Sequence, residues 1–213
     1  SYDGGRIIII GPSTVCVAAG TIDITSTAGL EFQCGNAAGI NNLTLTGNVT
    51  YTMSDGLLMT GDLTVTSGTT LNSHLGEDHE LIVTGDVSVA GILTANASIV
   101  TVGSLTIADG ATYNATSGTT TITDETGLYA WVNNETDGTG FIHNNGKVVI
   151  DTAGNEHTRI TETTFYDLEI NQTSSTYEAK FWTAYGSALY VLNNFTLTSG
   201  IFEMGGDSNT LDI

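Results

Sequence analysis

Gly61-Asp62-Leu63-Thr64-Val65-Thr66 and Gly85-Asp86-Val87-Ser88-Val89-Ala90 are two copies of one phrase, and their reading decides the fold. Each runs turn, turn, apolar, polar, apolar, polar. Strict alternation is the pattern of a strand with one buried face, and Leu, Val and Thr suit such a surface. Asn41-Asn42-Leu43-Thr44-Leu45-Thr46, Gly103-Ser104-Leu105-Thr106-Ile107-Ala108 and Asn193-Asn194-Phe195-Thr196-Leu197-Thr198 repeat it. Weaker copies stand at Gly20-Thr21-Ile22-Asp23-Ile24-Thr25 and Tyr166-Asp167-Leu168-Glu169-Ile170-Asn171. From Ile22 through Leu43, Leu63 and Val87 to Leu105 the steps are 21, 20, 24 and 18 residues, the length scale of a solenoid repeat.

Two further apolar pairs accompany these copies. One follows, as in Val49/Tyr51, Thr69/Leu71 and Ala111/Tyr113, and one precedes, as in Leu57/Met59, Leu81/Val83 and Leu189/Val191. Three short strands per repeat predict an all-β chain, a right-handed parallel β-helix (β-solenoid) with about 18 to 24 residues per rung. No stretch carries a 3.6-residue period, 37 threonines disfavour helix, and 26 glycines punctuate the strands. Pro12 is the only proline, so almost every backbone N–H is free for a ladder. An antiparallel sandwich shares this composition but would place hairpin turns at shorter intervals.

The chain reads as one solenoid domain over residues 1–213, regular over 1–118 and wider over 119–213. Twelve of the 16 aromatics follow position 128, including Trp131, Phe165, Phe181 and Trp182. At the ends, Ile7, Ile8, Ile9 and Ile10 read as a strand covered on both faces, capping the first rung or donated to a neighbour. Leu211 and Ile213 read as the start of a further rung. Both segments are candidate assembly elements, because an uncapped solenoid exposes a strand edge.

Charge narrows the function. Four basic residues face 23 acidic ones, for a net charge of −19. No basic stripe is left for phosphate, so nucleic acid is excluded as a partner. No run approaches the roughly 20 apolar residues of a membrane span, so no membrane insertion is expected. An acidic surface suits an extracellular setting where salt screens it. In that setting Cys16 and Cys34, about one rung apart, read as a disulfide within the chain or between subunits, with free thiols the other outcome.

The stretch Thr163-Thr164-Phe165-Tyr166-Asp167-Leu168-Glu169-Ile170, followed by Val191-Leu192-Asn193-Asn194-Phe195-Thr196-Leu197-Thr198-Ser199-Gly200-Ile201-Phe202, resembles the repeats of β-helical cell-surface proteins and of virion or tail-fibre proteins. Asp167 stands where that pattern has Asn. The resemblance implies a passive scaffold and transfers no catalytic residue.

Chemistry-bearing candidates are few. His74, Glu77, Asp78 and His79 bring metal-ligating groups into one loop, without a recognised ligand spacing. Asp62 and Asp86 occupy one position of successive rungs, where Ca²⁺ would relieve their repulsion. No other cofactor is implied. Sequons at Asn42, Asn48, Asn96, Asn114, Asn134, Asn171 and Asn194 are glycosylation candidates, Asn42 and Asn194 at matching repeat positions. Trp131 and Trp182 are candidate platforms for surface glycans, with filling of wide rungs the competing use. A polysaccharide lyase would need basic residues, yet the solenoid body offers only Lys147, Arg159 and Lys180. A hydrolase would need two converging carboxylates, and no clustered acidic motif marks them. The expectation is a non-enzymatic structural protein that assembles with copies of itself into a surface layer, sheath, fibre or virion. A glycan-binding adhesin or receptor-binding fibre is the alternative.

Overall fold

The computed structural model describes residues 5–9, 18–26, 30–34, 40–73, 76–123, 129–135, 140–153, 158–182, 188–205 and 210–213. These residues form strands and connections with no helix, and every strand pair among them is parallel. The strands stack into a β-solenoid whose rungs have three faces. Along the chain a rung visits the first face at Leu57–Met59, the second at Leu63–Val65 and the third at Thr70–Asn72, then returns to the first within Leu81–Val89.

The register confirms the column read from the alternation. On the second face Ile22 pairs with Leu43, Leu43 with Leu63, Leu63 with Val87 and Val87 with Leu105. The column continues through Trp131, Ile160, Phe181 and Met204. A second column on the first face joins Ile40, Met59, Val83, Val102, Ile122, Ile150 and Ile170. Tyr51, Leu71, Leu93, Tyr113 and Phe141 line the third face. All of these from Ile40 to Ile170 are buried, which is the cause of the alternation: each rung turns alternate side chains into one shared apolar core.

The corner between first and second faces explains the Gly-Asp phrase. A Cβ on Gly85 would stand 2.7 Å from the Gly61 carbonyl, and one on Gly103 would stand 2.5 Å from the Gly85 oxygen. Backbones stack directly on backbones here, so only glycine fits. The next residue bridges rungs. Asn42 Oδ1 accepts the Asp62 N–H at 2.8 Å, and Asp62 Oδ1 accepts the Asp86 N–H at 2.9 Å. Asp86 Oδ1 then accepts the Ser104 hydroxyl at 2.7 Å. Each polar side chain thus satisfies a donor where the bend interrupts the ladder.

One expectation needs correction. Asn193-Asn194 repeats the phrase of Asn41-Asn42 but sits at a different corner. Leu168 and Phe195 follow the tight bend on the first face, stacked on Val148, whereas Leu43 follows it on the second. In the first rungs the tight corner joins the first and second faces; in Thr164–Asn171 and Ala188–Ser199 it joins the third and first. There Asp167 Oδ1 accepts the Asn194 N–H and amide at 3.0 Å and the Asn193 amide at 2.8 Å. Local alternation is identical at both corners, so sequence alone could not separate them.

Between these two halves the rungs widen. From Leu105 to Trp131 the second-face column advances 26 residues, and from Tyr113 to Phe141 the third-face column advances 28. Aromatic rings pack on one another inside these longer rungs. Trp131 meets Phe141 edge-on with centroids 4.8 Å apart and lies 5.1 Å from Phe165. Its Nε1 donates to Thr163 Oγ1 at 2.9 Å, so the buried indole leaves no polar atom unsatisfied.

Gly5–Ile9 pairs with Leu30–Cys34, so residues 7–9 join the ladder of this chain's own third face; Ile10 lies outside the described residues. Leu211 pairs with Leu189, and Ile213 is exposed. In the last described rung the inward Phe195, Phe202 and Met204 are only partly buried, and Leu197 is 50% exposed. Their counterparts one rung earlier, Leu168, Ala179, Phe181 and Ile170, are fully covered.

Candidate functional site

The outer face of the wide rungs carries a groove of about 530 Å³, lined by Tyr129, Asn134, Glu135, Thr161, Glu162 and Trp182 among others. Three successive second-face strands build it: Tyr129–Asn133, Thr158–Ile160 and Glu178–Phe181. Register places Tyr129 beside Arg159, Arg159 beside Lys180 and Lys180 beside Glu203. Alternation therefore turns these side chains outward, while Ile160 and Phe181 turn in.

The outward residues form one stack. The Arg159 guanidinium lies 5.0 Å from the Tyr129 ring centroid and 4.6 Å from that of Trp182. Its Nη1 donates to the Tyr129 hydroxyl at 2.8 Å. Lys180 Nζ stands 5.2 Å from the Trp182 ring and pairs with Glu203 at 2.8 Å. Arg159 Nε is buried without a hydrogen-bond acceptor among the described residues, and the two ring faces lie against the guanidinium. Tyr129 and Trp182 nonetheless stay 42% and 43% exposed, and both rings line the groove.

Polar groups converge beside them. Glu135 Oε1 accepts the Gly110 N–H at 2.6 Å, which anchors this carboxylate to the rung below. No hydrogen bond or ion pair within the described residues uses the Glu162 carboxylate or the Asn134 side-chain amide. An exposed aromatic pair beside unspent hydrogen-bonding groups can hold a ring with one apolar face and polar edges.

Sequence reasoning found one of these residues, Trp182. Trp131 is corrected: it is fully buried, because its register with Leu105 puts it in the inward column of the second face, and no sugar can stack on it there. Tyr129, Arg159, Glu135 and Glu162 were missed as site residues. One signal existed: Thr158-Arg159-Ile160 and Ala179-Lys180-Phe181 are basic-centred copies 21 residues apart, in a chain with four basic residues.

The other candidates are placed as follows. Asp62 and Asp86 share a column as expected, but each Oδ1 serves the corner ladder. Glu77, Asp78 and His79 line a shallow pocket with Asp55 and Glu80; His79 Nε2 lies 3.3 Å from Glu77 Oε2, and Asp78 accepts the Ala97 N–H. His74 lies outside the described residues. No group of three or more His, Cys, Asp or Glu side chains with metal-binding geometry occurs among the described residues. Cys16 also lies outside them, so the disulfide expectation falls there; the Cys34 backbone pairs with Ile9. Among the sequons, Asn48, Asn134 and Asn194 are exposed, while Asn42, Asn96, Asn114 and Asn171 are half-buried. The Asn96 amide donates to Asn72 and Ser73, and that of Asn114 to Thr94.

A second charged cluster lies on the first face. Lys147 pairs with Glu169 at 3.0 Å, and Thr198 donates to the same carboxylate at 2.7 Å. The Thr198 hydrogen bond and then Lys147 hold the Glu169 carboxyl below the usual carboxylate range, while burial and the nearby Glu169 charge push Asp151 above it.

Comparison with protein-family models, curated proteins and solved structures returns no match. The class is the one the register defines, a parallel β-solenoid.

Proposed function

We propose that this chain is a non-enzymatic structural element of an extracellular assembly, a surface layer, sheath, fibre or virion, built with copies of itself. The observation that carries the reading is the register: the same columns of buried side chains and the same direction of peptide pairing run through successive rungs, tied at the corners by the Asn42–Asp62–Asp86–Ser104 chain. A body bonded in this way along one axis resists bending and stretching, which is the property a scaffold supplies.

Charge sets the condition for assembly: in a chain of net charge −19 copies repel one another until salt or divalent cations screen them, so association should depend on ionic strength.

Electron microscopy and light scattering of the purified protein, across salt and divalent-cation concentrations, test the reading. Ordered filaments, sheets or rings are expected. Monodisperse monomers under every condition refute it.

A further inference from the structure

We infer that the groove between Tyr129 and Trp182 is a binding site for an uncharged pyranose unit of an oligosaccharide, a role separate from assembly.

The first ground is the aromatic platform. Elsewhere the outward positions of the ladder are mainly Thr, Ser, Asn and acidic residues, whereas here two large rings stand exposed two rungs apart, with the Arg159 rung between them. They are not loose: Arg159 lies between them at 5.0 and 4.6 Å, and Lys180 approaches Trp182 at 5.2 Å. Rings fixed before binding give up little conformational freedom when a ligand docks. The C–H face of a pyranose is the apolar surface such a ring accepts.

The second ground is the polar lining. The Glu162 carboxylate and the Asn134 amide have no protein partner among the described residues, and Glu135 is fixed by one oxygen on Gly110. Carboxylates accept hydrogen bonds from hydroxyls, often two at once, and sugar hydroxyls are donors. The groove volume of about 530 Å³ falls within the range of roughly 300 to 1,000 Å³ typical of small-ligand sites.

Charge selects the sugar. Glu135 and Glu162 line the groove, Lys180 is neutralised by Glu203, and the net charge is −19, so a uronate or sulfated unit meets a repulsive field. Arg159 faces two rings with its guanidinium and is engaged by the Tyr129 hydroxyl. Neutral hydroxyls and a C–H face remain as the matching chemistry.

The test is calorimetric and fluorescence titration with cellotriose, maltotriose and chitotriose, repeated in about 0.5 M NaCl, where screening removes a cation-driven contact. At least one neutral trisaccharide is expected to bind with a Kd between about 10 µM and 1 mM in both buffers, as suits an open groove. Trp182→Ala is expected to weaken it at least about ten-fold, Trp182→Phe less, and Glu162→Gln several-fold. Trp182 is exposed, so an unchanged circular dichroism spectrum certifies each variant's fold. No binding of any member at about 10 mM, binding lost in high salt, or binding unaffected by Trp182→Ala each overturns the assignment. Cleavage of the bound trisaccharide would overturn it too, in favour of hydrolysis. None of these outcomes depends on whether the chain assembles.

Discussion

Replacing Trp131 by alanine removes the largest fully buried side chain of the described core. Deleting a buried aromatic side chain costs about 3–5 kcal/mol through lost transfer energy and the cavity left behind. The upper part of that range applies here, because Phe141 and Phe165 pack on the indole from 4.8 and 5.1 Å and are held in their own columns. Trp131→Phe keeps most of the ring area and forfeits the Nε1 bond to Thr163, worth about 1 kcal/mol. Thr163 Oγ1 also donates to the Glu162 carbonyl at 2.7 Å, so its hydroxyl is not stranded by that change. Urea denaturation followed by circular dichroism should rank wild type above Trp131→Phe and that above Trp131→Ala. Rungs contact mainly their neighbours, so hydrogen exchange should accelerate near Leu105, Phe141 and Ile160 and much less near Leu63 and Met59. The exposed Trp182→Ala is the control, expected to cost under about 1 kcal/mol. Equal destabilisation by Trp131→Ala and Trp182→Ala would refute the inward placement of Trp131.

Three more outcomes are expected. Gly85→Ala drives a Cβ into the Gly61 backbone and should cost about 1–3 kcal/mol, read as a lower urea midpoint, whereas Gly110→Ala, whose Cβ meets open space, is strained only by its φ of +76° and should cost less. Asp62→Asn keeps the oxygen that receives the Asp86 N–H and removes charge, so it should match or exceed wild-type stability; Asp62→Ala should lose about 1 kcal/mol. If the alanine variant is the more stable in a urea titration, the corner chain is not stabilising. Glu169 and Asp151 have opposite signs with pH. The Glu169 carboxyl is lowered, so its stabilisation is present above the ordinary carboxylate pKa and fades as pH falls through its folded value. The Asp151 carboxyl is raised, so its contribution is present in acid and is lost as pH rises through its folded value. Asp151→Asn should therefore raise the thermal midpoint at neutral pH, with a gain that shrinks toward acid; a gain independent of pH would contradict this assignment.

The fold was legible where side chains repeat in step with the rung. Ile22, Leu43, Leu63, Val87 and Leu105 form one column at the spacings read from the sequence, because an apolar residue every rung has no other place to go. Legibility failed where the same local pattern serves two places. Phe195 alternates like Leu43 yet belongs to another face, since alternation records which side is buried and not which face the strand joins. Trp131 and Trp182 could not be told apart either, because each stands in an alternating segment whose inward side is set only by its register with Leu105 or Ile160 on the neighbouring rung. Apart from Trp182 and the basic-centred copies at Arg159 and Lys180, the groove left no trace in the sequence, for a different reason. Its lining comes from rungs separated by connections of irregular length, so Tyr129, Glu162 and Trp182 have no fixed spacing to detect.

The move of the tight bend from one corner to another has a consequence for how the chain finds its register while folding. Stacked rungs of near-identical sequence are interchangeable, and a strand that docks one rung too early buries the same apolar residues as one that docks correctly. Rungs bent between first and second faces are out of step with rungs bent between third and first, since the residues after the bend belong to the second-face column in one kind, as Leu43 does, and to the first-face column in the other, as Phe195 does. The wide aromatic rungs join the two kinds, and they act as a keyed splice: either half can slip against itself, but neither can be mistaken for the other. Duplicating a rung such as residues 63–86 within one half should therefore lengthen the rod, whereas transplanting residues 167–193 into the first half should leave a chain that cannot close its ladder.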